Sequence, residues 1–251
     1  MKSLRKALDI IESITDTGSA GVRELSARTG FPPATVHRIL ATLTARDYLR
    51  QNPHNKHYSL STRFLMFADS AQQQIDLVPI ARPHLEQLSA QTQANANLCV
   101  QDDMVAVYID HVYSREHMLQ TFTRLGARVP LYATGVGKLF LSYMASDEIE
   151  AYLKKTKLKQ FTSYTIKDGK ELIKELTLIR QRGCALDNQE KEPGVRCVAA
   201  PVFEHSGEVS AAISVSGATQ WITMKRVESL CRQVMECAAR ISADLGYKTP
   251  V

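Results

Sequence analysis

Apolar positions recur at helical spacing three times within the first 46 residues. Leu4, Leu8, Ile11 and Ile14 share one side of a segment over 4–15, which Asp16-Thr17-Gly18-Ser19 ends. Val22 and Leu25 mark a short helix over 22–29, stopped by Gly30. Val36, Ile39, Leu40 and Leu43 fall at i, i+3, i+4 and i+7, so the pattern predicts a third helix over 33–46. Gly30-Phe31-Pro32-Pro33 breaks the chain just before it, and proline is tolerated in the first turn of a helix. Two short helices joined by a tight glycine turn are the helix-turn-helix pattern. The period then shortens: residues 48–51 and 57–60 read as two strands around the turn Asn52-Pro53-His54-Asn55-Lys56. A hairpin directly after such a helix pair reads as a wing, so residues 1–60 are expected to form a winged helix-turn-helix domain.

Residues 61–76 predict one more helix, capped by Ser61-Thr62, with Phe64, Ala68, Ala71 and Ile75 as its stripe. It reads as a linker and dimer contact, and packing on the preceding domain is the alternative. From Leu77 the character changes. A helix carrying Ala81, Leu85 and Leu88 leads into strands over 96–100, 105–111 and 117–122, then a loop from Gly126 through Pro130. Helices over 135–144, 147–156 and 168–182 surround a polar loop at 157–167. Strands over 197–203 and 209–216 are joined by His205-Ser206-Gly207, and a helix over 222–245 closes the chain at Gly246. Runs of strands with helices at the margins predict an α+β domain over 77–251.

Composition adds little until charge is divided along the chain. At 251 residues, 44% hydrophobic and 23% charged, the sequence is that of an ordinary globular protein. No apolar run approaches the ~18 residues of a membrane span. The opening MKSLRKALDIIESI lacks the pattern of a signal peptide, so a cytoplasmic location is expected. Net charge is +5, and residues 1–63 hold ten bases against five acids, whereas the remainder balances. A basic N-terminal quarter on a neutral body suits a phosphate-facing module. The five cysteines, Cys99, Cys184, Cys197, Cys231 and Cys237, show no CxxC pairing, which argues against a disulfide framework or zinc ribbon and for small buried residues.

Off the apolar stripe of the third helix lie Thr35, His37, Arg38 and Thr42, side chains of the types that contact base edges and phosphates. Arg50, His54 and Lys56, on or near the wing, suit the DNA backbone or minor groove. The partner these residues point to is double-stranded DNA.

With these elements placed, the chain resembles the IclR family of bacterial transcriptional regulators almost end to end. The residues that carry the resemblance are Ala34-Thr35-Val36-His37-Arg38-Ile39-Leu40, His57-Tyr58-Ser59-Leu60, 131–138 (LYATGVGK), 183–190 (GCALDNQE), 194–202 (GVRCVAAPV) and 212–217 (AISVSG). The resemblance implies an operator-binding winged helix and a GAF-like effector domain with an antiparallel sheet. It also implies homodimers, often paired into dimers of dimers, and control by a small, usually acidic metabolite, with repression of a carbon-catabolic pathway favoured. Where the family often carries Lys-Ser, this chain has Pro33-Ala34, which leaves more of the reading to Thr35, His37 and Arg38. Mapped position by position, the resemblance places Met118, Val129, Gly135, Val136, Asp187, Cys197, Ser214 and Ser216 around the effector.

Three chemical readings bear on these residues. Gly135-Val136-Gly137-Lys138 looks like part of a phosphate loop, but Tyr132 stands where such a loop needs glycine and Leu139 where it needs Ser or Thr, so nucleotide binding is rejected. Two glycines opening a helix still expose backbone N–H groups suited to a carboxylate, or simply allow close packing. Cys197 with His111 or His117 suggests a nucleophile and base, yet its apolar strand suits an inert thiol, so no enzyme, metal or cofactor is expected. A small-molecule-binding or hydrolytic protein with a basic interaction domain is the alternative function.

Overall fold

The computed structural model describes residues 2–73, 77–114 and 124–248. The chain divides into two compact units, Met1–Ile75 and Asp76–Val251. The first begins with three helices, α1 (Lys2–Thr17), α2 (Val22–Thr29) and α3 (Pro33–Ala45). Gly30 ends α2 in the left-handed conformation, with its N–H on Ser26 O, and Pro33 opens α3 in the first turn, where a missing N–H costs nothing. One core joins Ile10, Ile14, Leu25, Val36 and Leu40 with Leu49 and Tyr58 from the wing; of the stripe expected on α1 only Ile14 is fully buried, Ile10 is buried rather than Ile11, and Leu4 and Leu8 are exposed.

The wing pairs β1 (Leu49–Gln51) with β2 (Tyr58–Leu60) antiparallel, in the register Leu49↔Leu60. Ala20 adds a third rung through two bonds with Tyr58, of 3.0 and 2.9 Å. Helix α4 (Arg63–Gln73) comes next, its first turn held by Ser61 Oγ, which accepts the Arg63 N–H at 3.1 Å. Phe64 and Phe67 pack on Tyr48, with ring centroids 5.7 and 5.9 Å away, so this face of the linker lies on the wing domain, while Leu65, Met66 and half of Phe67 stay exposed. Ile75, expected on the same stripe, lies outside the described residues.

The second unit is a six-stranded antiparallel sheet in the order β5-β4-β3-β8-β7-β6, where β3 is Asn95–Asp102, β4 Val105–Val112, β5 Arg128–Pro130, β6 Ala185–Asn188, β7 Val195–Phe203 and β8 Val209–Ala218. Helices α5 (Leu77–Thr92) and α9 (Met224–Asp244) cover one face, and α6 (Gly135–Tyr143) with α8 (Gly169–Arg182) cover the other; α7 (Ser146–Lys155) lies between α6 and α8 in sequence. Alternation along β7 therefore serves two cores: Val198, Ala200 and Val202 face α5 and α9, while Cys197 and Ala199 face α6. That is why this strand reads as an unbroken apolar run.

Three expectations need correction or closure, and one strand was not anticipated. The stretch from Gly126 through Pro130 is not all loop, because Arg128–Pro130 pairs with β4 at the sheet edge. Strand β6 goes unmarked by the sequence pattern; its four residues include Asp187 and Asn188 and show no apolar period. Cys184 and Cys231 form a disulfide with a Cα–Cα distance of 6.0 Å, against the expectation that the cysteines build no disulfide framework, whereas Cys99, Cys197 and Cys237 are free and buried, as expected of small apolar residues. The strand expected over 117–122 lies outside the described residues.

Candidate functional site

In the first unit, packing decides what α3 shows. Val36 and Leu40 are buried, and Ile39 and Leu43 partly so, which turns His37, Arg38 and Thr42 outward and leaves Thr35 half-buried. Thr42 Oγ1 donates to Arg38 O at 3.0 Å. Between α1 and α3 runs a groove of about 590 Å³, with Thr35, Arg38 and Thr42 on one bank and Ser3 and Lys6 on the other. Lys6, missed in the sequence, sits 5.0 Å from the Phe31 ring centroid; its place in the basic N-terminal quarter was the signal that pointed to it.

The wing tip is tied by its asparagines. Asn52 Oδ1 accepts the His54 N–H at 2.9 Å, and Asn55 Oδ1 accepts the His57 N–H at 3.0 Å. Lys56 adopts φ 61° between them, and its carbonyl accepts from Gln51 Nε2 at 3.2 Å. His54 and Lys56 are exposed there, while Arg50 reaches Thr62 Oγ1 at 3.2 Å.

In the second unit a cavity of about 210 Å³ lies on the α6 face of the sheet. The start of α6 supplies Thr134 and Gly135, β4 supplies Tyr108, and β5 supplies Val129. Asp187 of β6, Cys197 of β7 and Ser216 of β8 close it, with Lys191 and Glu192 at the turn between β6 and β7. The groove in the first unit is larger, and Leu4, Ile39 and Leu43 share its lining with exposed polar side chains; the smaller cavity is where buried polar groups converge.

The cavity's electrostatics follow from burial. Asp187 is 6% exposed, and its Oδ1 accepts the Glu190 N–H at 2.7 Å. Loss of water, reinforced by the nearby Glu190 carboxylate, pushes its carboxyl up to about 7 despite that bond and the Lys138 charge. Burial first, then Asp187, pushes the Cys197 thiol up to about 12, so it is no nucleophile at neutral pH. Burial likewise raises the Tyr108 phenol and the Cys99 thiol.

Of the residues expected around an effector, the structure brings together Val129, Gly135, Asp187, Cys197 and Ser216. Val136 is instead turned into the α6 core. Ser214 shares a face with Ser216 but is fully buried below it, where it accepts from Asn97 Nδ2 at 3.2 Å. Met118 lies outside the described residues. The two glycines differ: a Cβ on Gly137 would lie 2.4 Å from Leu131 Cα, so close packing requires glycine there, and its N–H is already bonded to Thr134 Oγ1 at 3.2 Å. Sequence reasoning also missed Lys138, dismissed with the false phosphate loop. Its ammonium is buried and bonded to Glu190 Oε1 at 2.5 Å and to Leu186 O at 2.8 Å. Tyr108 and Lys191 gave no sequence signal. Among the described residues no three His, Cys, Asp or Glu side chains converge to hold a metal, and no helix is long and apolar enough to cross a membrane.

A winged helix-turn-helix whose third helix turns His37 and Arg38 outward, joined in one chain to a sheet domain with a cavity lined by buried polar groups, defines a ligand-responsive DNA-binding protein. Comparison with known proteins narrows the class. The model of the IclR helix-turn-helix domain matches residues 3–53, and that of the bacterial transcriptional regulator IclR C-terminal domain matches residues 69–243. The chain is 32% identical to the HTH-type transcriptional regulator KdgR of Escherichia coli, over 98% of this chain and 94% of that one. It superposes on the Thermotoga maritima IclR with a TM-score of 0.80 at 30% identity, covering 98% and 100% of the two chains. An IclR homologue from Microbacterium hydrocarbonoxydans, complexed with 4-hydroxybenzoate, shares the fold with a TM-score of 0.82 at 20% identity, covering 97% and 98%. The chain belongs to the IclR family: it is a helix-turn-helix transcriptional regulator with a C-terminal effector-binding domain.

Proposed function

We propose that α3 reads an operator in the major groove through Thr35, His37, Arg38 and Thr42, while Arg50, His54 and Lys56 hold the backbone beside it. The observation that carries this reading is the outward turn of His37 and Arg38 over a helix back locked into the core by Val36 and Leu40. Pro33 and Ala34 offer no charge to phosphate, so Arg38 bears the largest share. The test is binding to the DNA upstream of the protein's own gene across a salt series. Affinity should fall steeply, with a slope near −0.9 per phosphate contact. A flat salt response would sink the assignment.

The cavity around Asp187 then takes a small carboxylate. A buried carboxyl that keeps its proton near neutrality donates a hydrogen bond to an anionic oxygen, and Ser216 and Lys191 add further donors. The 4-hydroxybenzoate held by the Microbacterium relative supports this ligand class. Occupancy is read out as a change in spacing between the recognition helices of a homodimer, which itself pairs into a tetramer, and the effect is derepression of a carbon-catabolic operon in the cytoplasm. The exposed Leu65 and Met66 of α4 and Leu4 and Leu8 of α1 supply apolar surface for such pairing. A thermal-shift series with 4-hydroxybenzoate, benzoate and small sugar acids should raise the apparent Tm for the acid that fits, and Asp187→Asn should change that response.

A further inference from the structure

The cavity acid does not stand alone. Behind Asp187 a buried lysine is built into the wall, and neither nucleotide nor DNA binding explains it. Lys138 is 1% exposed, and its ammonium spans two points of one turn: Leu186 O at 2.8 Å, just before Asp187, and Glu190 Oε1 at 2.5 Å, just after it. Glu175 Oε1 of α8 lies 3.8 Å from the same ammonium and is itself held by Arg182 at 2.7 Å. The Glu190 N–H returns to Asp187 Oδ1, so the same residue ties the lysine and orients the cavity carboxyl. Thr162 and Thr165 fasten the turn from the other side, at Gln189 O (2.7 Å) and Glu190 O (2.6 Å). The second Glu190 oxygen is buried without a hydrogen-bond partner, so this carboxylate leans mainly on Lys138 for compensation, with a lesser contribution from the Asn188 backbone.

We propose that Lys138 and Glu190 are a positioning pair for the effector pocket: together they hold the turn that carries Asp187 and set whether that carboxyl meets a bound acid as a hydrogen-bond donor or as a like charge. This rests on the reading of the cavity as a carboxylate pocket. The physical logic is short-range. Glu190 places a negative charge beside Asp187 and favours a proton on it; Lys138 opposes that from α6. The other ionisable groups around Asp187 are Cys197 of β7 and Tyr108 of β4, both kept neutral by burial, with Lys191 and Glu192 at the cavity rim. Effector entry is thereby coupled to a proton: a carboxylate binds while Asp187 is protonated and is repelled once it ionises.

The test is a ¹³C-detected titration of aspartate carboxyls in the full-length, unliganded chain, with the Asp187 signal assigned by its loss in Asp187→Asn. Wild type should titrate near 7. Glu190→Gln keeps the shape and the acceptor for Lys138 but removes the charge, and should lower the Asp187 midpoint by roughly one unit or more. Adding Lys138→Met to Glu190→Gln should raise the midpoint again relative to Glu190→Gln alone. A merely structural pair would leave these midpoints together. An unmoved midpoint in Glu190→Gln, a near-isosteric change, overturns the proposal even if the double variant does not fold. Because no effector is added, this result is independent of the thermal-shift series, where the carboxylate reading of the cavity fails by itself.

Discussion

Asp187 and Cys197 are register partners across β6 and β7, and Gly135 sits over both. A Cβ on Gly135 would lie 3.3 Å from Cys197 Sγ and 3.6 Å from the Asp187 nitrogen. The start of α6 thus approaches the sheet where an acid, a thiol and a serine line one cavity, and the absence of a side chain at this one position keeps that space open.

Gly135→Ala should fold, with a modest loss of stability, and should weaken the thermal-shift response to small acids because the methyl takes cavity space. Gly137→Ala should behave differently. Its methyl would collide with Leu131 backbone 2.4 Å away, so α6 must shift. Overpacking of this kind costs about 1–3 kcal/mol or more, and the loss would appear in denaturant unfolding whether or not an effector is present.

Arg38→Ala should leave stability within about 0.5 kcal/mol, since the side chain is exposed. Loss of one base-reading arginine should weaken specific operator binding by about 1–3 kcal/mol, roughly 5- to 150-fold, and relax sequence preference at one base pair. Fluorescence anisotropy on operator and scrambled duplexes measures both. Retained specificity would remove Arg38 from the reading face.

Asp187 makes stability depend on pH in a definite direction. Its carboxyl titrates at about 7 in the folded chain, well above its ordinary value near 3.9. The folded state therefore holds a proton that the unfolded state has lost. The associated stability is fully present below the ordinary value and is lost as pH rises through about 7, at up to roughly 1.4 kcal/mol per unit. Asp187→Asn should flatten the fall in Tm between about pH 4 and pH 7. Glu190, also raised by burial, leaves a residual slope of the same sign.

The Cys184–Cys231 link joins the residue just before β6 to α9 and closes a span of 47 residues. Peptide mapping without reductant should recover that pair alone among the five cysteines. Reduction should cost about 2–4 kcal/mol and lower Tm, a change that Cys231→Ser should abolish.

Much of the fold was legible because it is written in period. The Val36–Leu43 stripe placed α3, and the apolar runs on either side of His205-Ser206-Gly207 placed β7 and β8. The short edge strands escaped because three or four residues carry no period: Arg128–Pro130 holds a proline, and Ala185–Asn188 an acid and an amide. The cavity was legible mainly through resemblance. Period correctly set Ser214 and Ser216 on one face but could not say which lay deeper, and Val136 looked like a neighbour of Gly135 until the helix turned it inward. Lys138 was the clearest loss. Judged against the phosphate-loop pattern it was discarded, and its real partner, Glu190, lies 52 positions away, beyond the reach of local spacing. The disulfide was hidden for the same reason.

The asparagine-tied tip of the wing has an implication for how long a complex with DNA survives. On the docking proposed above, a loop already tied by Asn52 and Asn55 forfeits little chain entropy, and the side chains of His54 and Lys56 are what must settle. Two amides that need touch no nucleotide thereby become determinants of residence time on the operator, through the order they impose beforehand.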